Sequence, residues 1–247
     1  MASGLLPHFG FSNHKDGLLY GYFAVGIFSA MLMEYEVHFY SSGALEEDWT
    51  TKDLKENFMV ASFGSILGSL LTVALMVVAA IVLYPRGIFP ELLSTTILAG
   101  AFPFGKDALI LALLGSLACV GGAAVETTLS GAYNLCQFFD LAWGKNWPIK
   151  KVPAFTASWM GMLVLACVIA LTGVSPLDLV NVSIIFGMVI MPLTYYPILR
   201  VAADRKIMGK HVNSRFLTIM GVVFLVLITI AAVTAIPLMV VTHSGKP

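Results

Sequence analysis

The chain has 247 residues, of which 58% are apolar and only 11% are charged. Soluble domains carry about 45–50% apolar and about 25% charged residues, so the composition is typical of an integral membrane protein. Fourteen basic residues balance fourteen acidic ones, which leaves no net charge to attract a nucleic acid. The composition therefore excludes a disordered chain, a nucleic-acid-binding protein and a water-soluble enzyme.

Six apolar stretches are each long enough to cross a bilayer, which takes about 20 helical residues. We predict helices because a membrane segment has to satisfy its backbone hydrogen bonds internally. The predicted spans are residues 18–44, 58–84, 108–136, 154–172, 179–199 and 216–241. The sequence thus predicts an all-α membrane protein, with one transmembrane domain over residues 1–247 and the lipid bilayer as its surroundings.

The first span carries three ionisable residues, Glu34, Glu36 and His38. At 27 residues it is about 40 Å long as a straight helix, about 10 Å more than the bilayer core. A carboxylate near mid-bilayer costs about 2.5–3.5 kcal/mol, so we predict a helix broken by an unwound turn around Glu34–Glu36. The alternative is an unbroken helix that ends near Met33, with the acids among the headgroups.

The loop 45–57 contains five acidic residues, two lysines and Trp49. This pattern predicts a solvated amphipathic helix at the membrane interface, anchored by the tryptophan.

The third span has a polar stripe along one helical face. Positions i, i+4, i+7 and i+11 hold Glu126, Ser130, Tyr133 and Gln137, with Asn134 alongside. Such a stripe faces either a water-filled pathway or a neighbouring helix in a hydrogen-bonded seam. We predict Glu126, Ser130, Tyr133 and Asn134 as pathway-lining residues, together with Asn181 of the fifth span, and the seam remains the alternative.

Basic residues are distributed unequally between the two sides. Loops 45–57, 137–153 and 200–215 hold ten of the fourteen lysines and arginines. The positive-inside rule places these loops in the cytoplasm and both termini outside. We expect the plasma (inner) membrane as the location. An external N-terminus without a signal peptide further predicts that part of the protein is missing upstream.

No phosphate-binding loop, nucleophile elbow or HExxH motif occurs, so the sequence predicts neither an enzyme nor a cofactor. Freed carbonyls and carboxylates at a break in a membrane helix are instead hard oxygen ligands, suited to divalent cations.

Two segments resemble the Nramp family of divalent metal transporters. Residues 203–209, Ala-Asp-Arg-Lys-Ile-Met-Gly, resemble the segment between that family's tenth and eleventh helices. Residues 34–37, Glu-Tyr-Glu-Val, followed by Phe-Tyr-Ser-Ser-Gly at 39–43, are similar to the Nramp-related magnesium transporters. The sequence departs from that branch at Glu34, where proline is usual, and from the wider family by lacking the Met-Pro-His methionine.

The resemblance spans residues 18–241 as helices six to eleven. It implies the second inverted repeat plus one extra helix of a LeuT-like five-plus-five fold. The first five helices would belong to a separate N-terminal part.

On these grounds the sequence predicts secondary transport of Mg²⁺ or Mn²⁺, with the ion as substrate and no cofactor. Glu36 is the first candidate ligand, Tyr35 shapes the cavity, and Glu34 and His38 are further candidates. The alternatives are an amine or amino-acid carrier of the same repeat fold and a non-transporting membrane scaffold.

Overall fold

The computed structural model of the chain describes residues 14–88 and 93–245. The regular secondary structure in those residues is helical, with no strand among them. The helices are α1 (His14–Ala30), α2 (Glu34–Glu46), α3 (Leu54–Val78), α4 (Leu93–Phe138), α5 (Pro153–Leu171), α6 (Pro176–Ala203), α7 (Arg205–Met208) and α8 (Arg215–Val241).

The predicted six membrane-crossing stretches are confirmed among the described residues. They are Asp16–Glu46, Leu54–Arg86, Gly105–Phe138, Pro153–Leu171, Pro176–Ala203 and Arg215–Val241. Each end lies within four residues of its predicted position. Helix α3 has no buried residue, as expected of a helix whose apolar side chains face lipid.

Two of the stretches contain local departures from the α-helix. Helix α3 continues through a π-turn, Ala79–Leu83, and a 3-10 turn, Tyr84–Arg86, and stops at Gly87. Gly87 has a φ of 64°, a left-handed conformation that glycine adopts without strain. Helix α4 is interrupted at Gly105, where φ is 77°, so the long stretch consists of two helices meeting at that glycine.

The first span is interrupted, but not at the predicted residues. Helix α1 ends at Ala30 and α2 begins at Glu34, so residues 31–33 are non-helical and Glu34 and Glu36 lie in the first turn of α2. The positive end of the helix dipole favours carboxylates in a first turn. This interaction stabilises a helix that begins at the two acids, so the chain is helical at these residues and not unwound.

The prediction of an amphipathic helix in the loop 45–57 was wrong. After α2 ends at Glu46, the chain forms turns until α3 begins at Leu54. Asp53 organises these turns, because its Oδ2 accepts hydrogen bonds of 2.7 Å and 3.0 Å from the Thr50 N–H and Oγ1. A side chain that bonds nearby backbone groups in this way competes with helix formation.

The helices form two compact units, each with its own core. The first comprises the described part of Met1–Glu34 and Val174–Pro247, with α1, α6 and α8. Its core contains Tyr22 of α1, Met188 of α6 and Ile228 and Ala235 of α8. Close packing of α8 on α6 depends on Gly221, because a Cβ there would lie 2.5 Å from Leu199 Cδ1.

The second unit comprises Tyr35–Gly173, with nearly all of α2 and all of α3, α4 and α5 within the described residues. Its core is centred on Tyr133, which has no exposed surface. The Tyr133 ring packs on Phe155 of α5 and on Trp143, at centroid distances of 4.9 Å and 5.7 Å. Aromatic pairs in such tilted and edge-on arrangements contribute beyond their buried area.

Candidate functional site

The polar stripe of α4 lies against α2. The Ser130 Oγ donates a 2.8 Å hydrogen bond to the Tyr35 carbonyl, and the Gln137 Nε2 donates a 2.9 Å bond to the Ser42 Oγ. Ser130 has no exposed surface. Ser130 and Gln137 therefore form a hydrogen-bonded seam between α4 and α2, one of the two arrangements that the sequence leaves open. A pathway-lining role for these residues stays a prediction.

Tyr133 closes the seam at the other end of α2. Its hydroxyl donates a 2.5 Å hydrogen bond to the Glu46 Oε2, while the Asn146 N–H donates a 2.5 Å bond to the Glu46 Oε1. Gly144 lets the loop come this close, because its φ is 131° and a Cβ would lie 3.2 Å from the Glu46 Oε1. Both oxygens of Glu46 are thus bonded, which fastens the C-terminal end of α2 to α4 and to the following loop.

Sequence reasoning missed Glu46 as a partner of Tyr133. The two residues are 87 positions apart in the chain, and no local pattern links them. Gly144, in the short loop after α4, is the one signal that could have indicated a close backbone approach.

An exposed ion pair lies next to this contact. The Lys145 Nζ is 3.0 Å from the Glu47 Oε1, and the Trp49 Nε1 donates a 3.1 Å hydrogen bond to the Glu47 Oε2. The hydrogen bond from Lys145, then its charge, holds the pKa of Glu47 below its usual value. In the same loop, the bonds from the Thr50 backbone and side chain lower the pKa of Asp53.

Two carboxylates lie near the Ser130–Tyr35 hydrogen bond, one on each helix. Glu36 is exposed in the first turn of α2, and Glu126, half-buried, lies one turn before Ser130 on α4. Neither forms an ion pair with a basic side chain within the described residues. Oxygen ligands of this kind are suited to Mg²⁺, Mn²⁺ or Ca²⁺.

Glu34 belongs to the first unit and packs against α6. Its Oε2 is buried and has no hydrogen-bond partner among the described residues. A Cβ on Gly187 would lie 2.9 Å from this oxygen, so the carboxylate occupies the space that the glycine leaves. An unpaired buried carboxylate oxygen is costly, and either a proton or a cation would relieve that cost.

The other predicted site residues are distributed over both units. Tyr35 and His38 are half-buried on α2, and Asn134 is exposed on α4. Asn181, in the first unit, lines a cavity of about 180 Å³ next to Tyr22. In the part of the chain that the structure describes, no three His, Cys, Asp or Glu side chains gather into a metal cluster. The predicted ligand set Glu34, Tyr35, Glu36 and His38 stays a prediction.

A family model described as natural resistance-associated macrophage protein-like (Nramp) matches residues 1–237. No curated protein and no solved structure matches the chain.

Proposed function

The chain belongs to the Nramp family of divalent metal transporters, and we propose that it carries Mg²⁺ or Mn²⁺ with Glu36 as a ligand of the ion. Six apolar helical stretches in the described residues are long enough to cross a bilayer, which makes the chain an integral membrane protein. Family membership gives the general activity, which is transport of divalent metal cations. The choice of ion and the ligand residues are our proposal.

The observation that carries this proposal is that two membrane-crossing stretches joined by the Ser130–Tyr35 hydrogen bond each carry a carboxylate, Glu36 and Glu126. Both residues lie within membrane-crossing stretches, where each charged carboxylate costs about 2.5–3.5 kcal/mol. Together they cost about 5–7 kcal/mol in the absence of a cation. A divalent cation bound at Glu36 would offset part of this cost.

The chemistry of the ligands favours a hard ion. Carboxylate oxygens suit Mg²⁺ and Mn²⁺, whereas a thioether would favour softer transition metals. Where the family has its Met-Pro-His motif, the corresponding stretch of this sequence is Glu34-Tyr35-Glu36-Val37. Mg²⁺ sheds water reluctantly and commonly keeps several water ligands, so Glu36 would bind it either directly or through a water molecule. Tyr35, His38 and Glu34 are further candidate ligands.

The wider architecture is also part of the proposal. The likeness to helices six to eleven supports a second inverted repeat plus one extra helix, completed by a separate N-terminal part with five helices. The loops 45–57, 137–153 and 200–215 hold ten of the fourteen lysines and arginines. This excess supports a cytoplasmic position for them. Both termini would then lie outside, in the plasma (inner) membrane.

Uptake into proteoliposomes tests the proposal. The full-length protein should take up Mg²⁺ or Mn²⁺ to saturation, and both Glu36→Ala and Glu36→Gln should abolish or strongly reduce this uptake. Glu56→Gln is the matched control, because Glu56 is an exposed acid at the start of α3. Equal uptake by the wild type and both Glu36 variants would contradict the assignment. Uptake of an amine or amino acid instead of the metals would favour the alternative carrier.

A further inference from the structure

We propose that Ser130 is a positioning residue for ion binding, because its hydroxyl fixes the peptide group that joins Tyr35 to Glu36. The inference rests on the proposed function, since it gives Ser130 a role at the site that contains Glu36. It deepens that proposal by naming a residue that acts on the ion only through the placement of Glu36.

The hydrogen bond from Ser130 acts directly on the backbone of Glu36. The Ser130 Oγ lies 2.8 Å from the Tyr35 carbonyl oxygen, and that carbonyl shares one rigid planar peptide unit with the nitrogen of Glu36. Holding the oxygen therefore restricts the Cα of Glu36 and the direction of its side chain. Ser130 is fully buried, so water does not compete for the bond.

Neighbouring hydroxyls on α4 behave differently. The Thr127 Oγ1 donates to the Ala123 carbonyl, and the Thr128 Oγ1 donates to the Ala124 carbonyl, both within α4 itself. This back-bonding is the usual choice for a hydroxyl in a helix. Ser130 instead bonds a carbonyl 95 positions away in the chain, so its bond serves the contact with α2.

The start of α2 needs such a contact. Helix α2 has 13 residues, which is about the length at which an isolated helix is only marginally stable. Residues 31–33 before it are non-helical, so no preceding turn holds its first residues. The other two bonds of the seam involve Ser42 and Glu46, further along α2. Within the described seam, the Ser130 bond is the one next to Glu36.

The same bond also fixes where Glu36 lies along α4. Glu126 is four residues before Ser130 on α4, about 6 Å along the helix axis and on the same face. Fixing Tyr35 on Ser130 therefore sets the position of Glu36 along α4 relative to Glu126. Without the hydroxyl, the backbone of Glu36 would no longer be held on α4, and the affinity for the ion would fall while the transport steps after binding stay intact.

Kinetics of Mn²⁺ uptake by the full-length protein in proteoliposomes test this role. Ser130→Ala should raise the KM about 3- to 10-fold, as expected for one buried hydrogen bond, with little change in the maximal rate. Ser130→Cys keeps a weaker donor and should give a smaller rise in KM. Thr128→Val, which removes a hydroxyl bonded within α4, should leave the KM unchanged.

The outcomes separate this inference from the proposed function. The positioning role would be overturned if Ser130→Ala had the wild-type KM. If the alanine variant does not fold, a wild-type KM in Ser130→Cys would overturn it. So would an equal rise in KM in Thr128→Val, because the effect would then be general to α4. A wild-type protein that takes up neither ion, or uptake that is insensitive to Glu36→Gln, would contradict the proposed function. Uptake that depends on Glu36 but not on Ser130 would overturn this inference alone.

Discussion

The bond between Tyr133 and Glu46 should contribute measurably to the stability of the second unit. Tyr133→Phe removes the hydroxyl but keeps the ring that packs 4.9 Å from Phe155 and 5.7 Å from Trp143. A hydrogen bond to a charged group contributes about 1.5–3 kcal/mol. Glu46 would keep its second bond, from the Asn146 N–H. We therefore expect the free energy of unfolding to fall by about 1.5–3 kcal/mol, without the larger cost of a cavity.

Thermal unfolding of the purified full-length protein in detergent measures this loss. For a chain of this size, 1 kcal/mol shifts the midpoint by about 2–4 °C, so the expected decrease is about 3–12 °C. The control is Tyr40→Phe, because Tyr40 lies on α2 but is exposed. Glu46→Gln should lower the midpoint too, and the double variant should lower it by less than the sum of the two single effects. Equal midpoints for Tyr133→Phe and Tyr40→Phe would refute the reasoning.

Two further changes test the packing of the first unit and the charge of the loop. Gly221→Ala would place a methyl group 2.5 Å from Leu199 Cδ1 and should destabilise the protein by about 1–3 kcal/mol. A Cβ on Gly161 would have no atom within 4 Å, so Gly161→Ala should stabilise the protein by up to about 1 kcal/mol. A thermal midpoint that rises in both variants would contradict the close packing of α8 on α6. Lys145→Met should raise the pKa of Glu47 toward its ordinary value, which a ¹³C NMR titration of labelled glutamate carboxyls measures. Because the folded pKa of Glu47 is lowered, the stabilisation from its pairing with Lys145 is present above the unfolded pKa and lost as pH falls through the folded pKa. An identical titration in the wild type and in Lys145→Met would contradict this pairing.

The number, type and approximate ends of the spans could be predicted because each depends on a local property. An apolar run of sufficient length has to be helical in lipid, whatever its neighbours are. The interruption of the first span could be predicted only approximately. Its length and its acids indicated a break, but residues 31–33, Met-Leu-Met, contain neither glycine nor proline to mark the place.

The candidate site could be predicted less completely, because its contacts join distant segments. The stripe through Glu126 and Ser130 followed from helical periodicity, yet periodicity does not tell which helix the stripe faces. The structure provides that answer for Ser130, which bonds Tyr35. The pairing of Glu46 with Tyr133 and the packing of Glu34 on Gly187 depend on tertiary geometry, which no local pattern in a single sequence contains.

Binding of Mn²⁺ to the purified full-length protein, followed by the loss of the free-ion signal in electron paramagnetic resonance, tests most directly whether Glu36 is a ligand. The account predicts saturable binding that Mg²⁺ displaces. It also predicts that affinity falls about tenfold or more in Glu36→Gln, as loss of one charged contact implies, and stays unchanged in Glu56→Gln. Wild-type affinity in the Glu36→Gln variant would show that the ion binds elsewhere and would contradict the account.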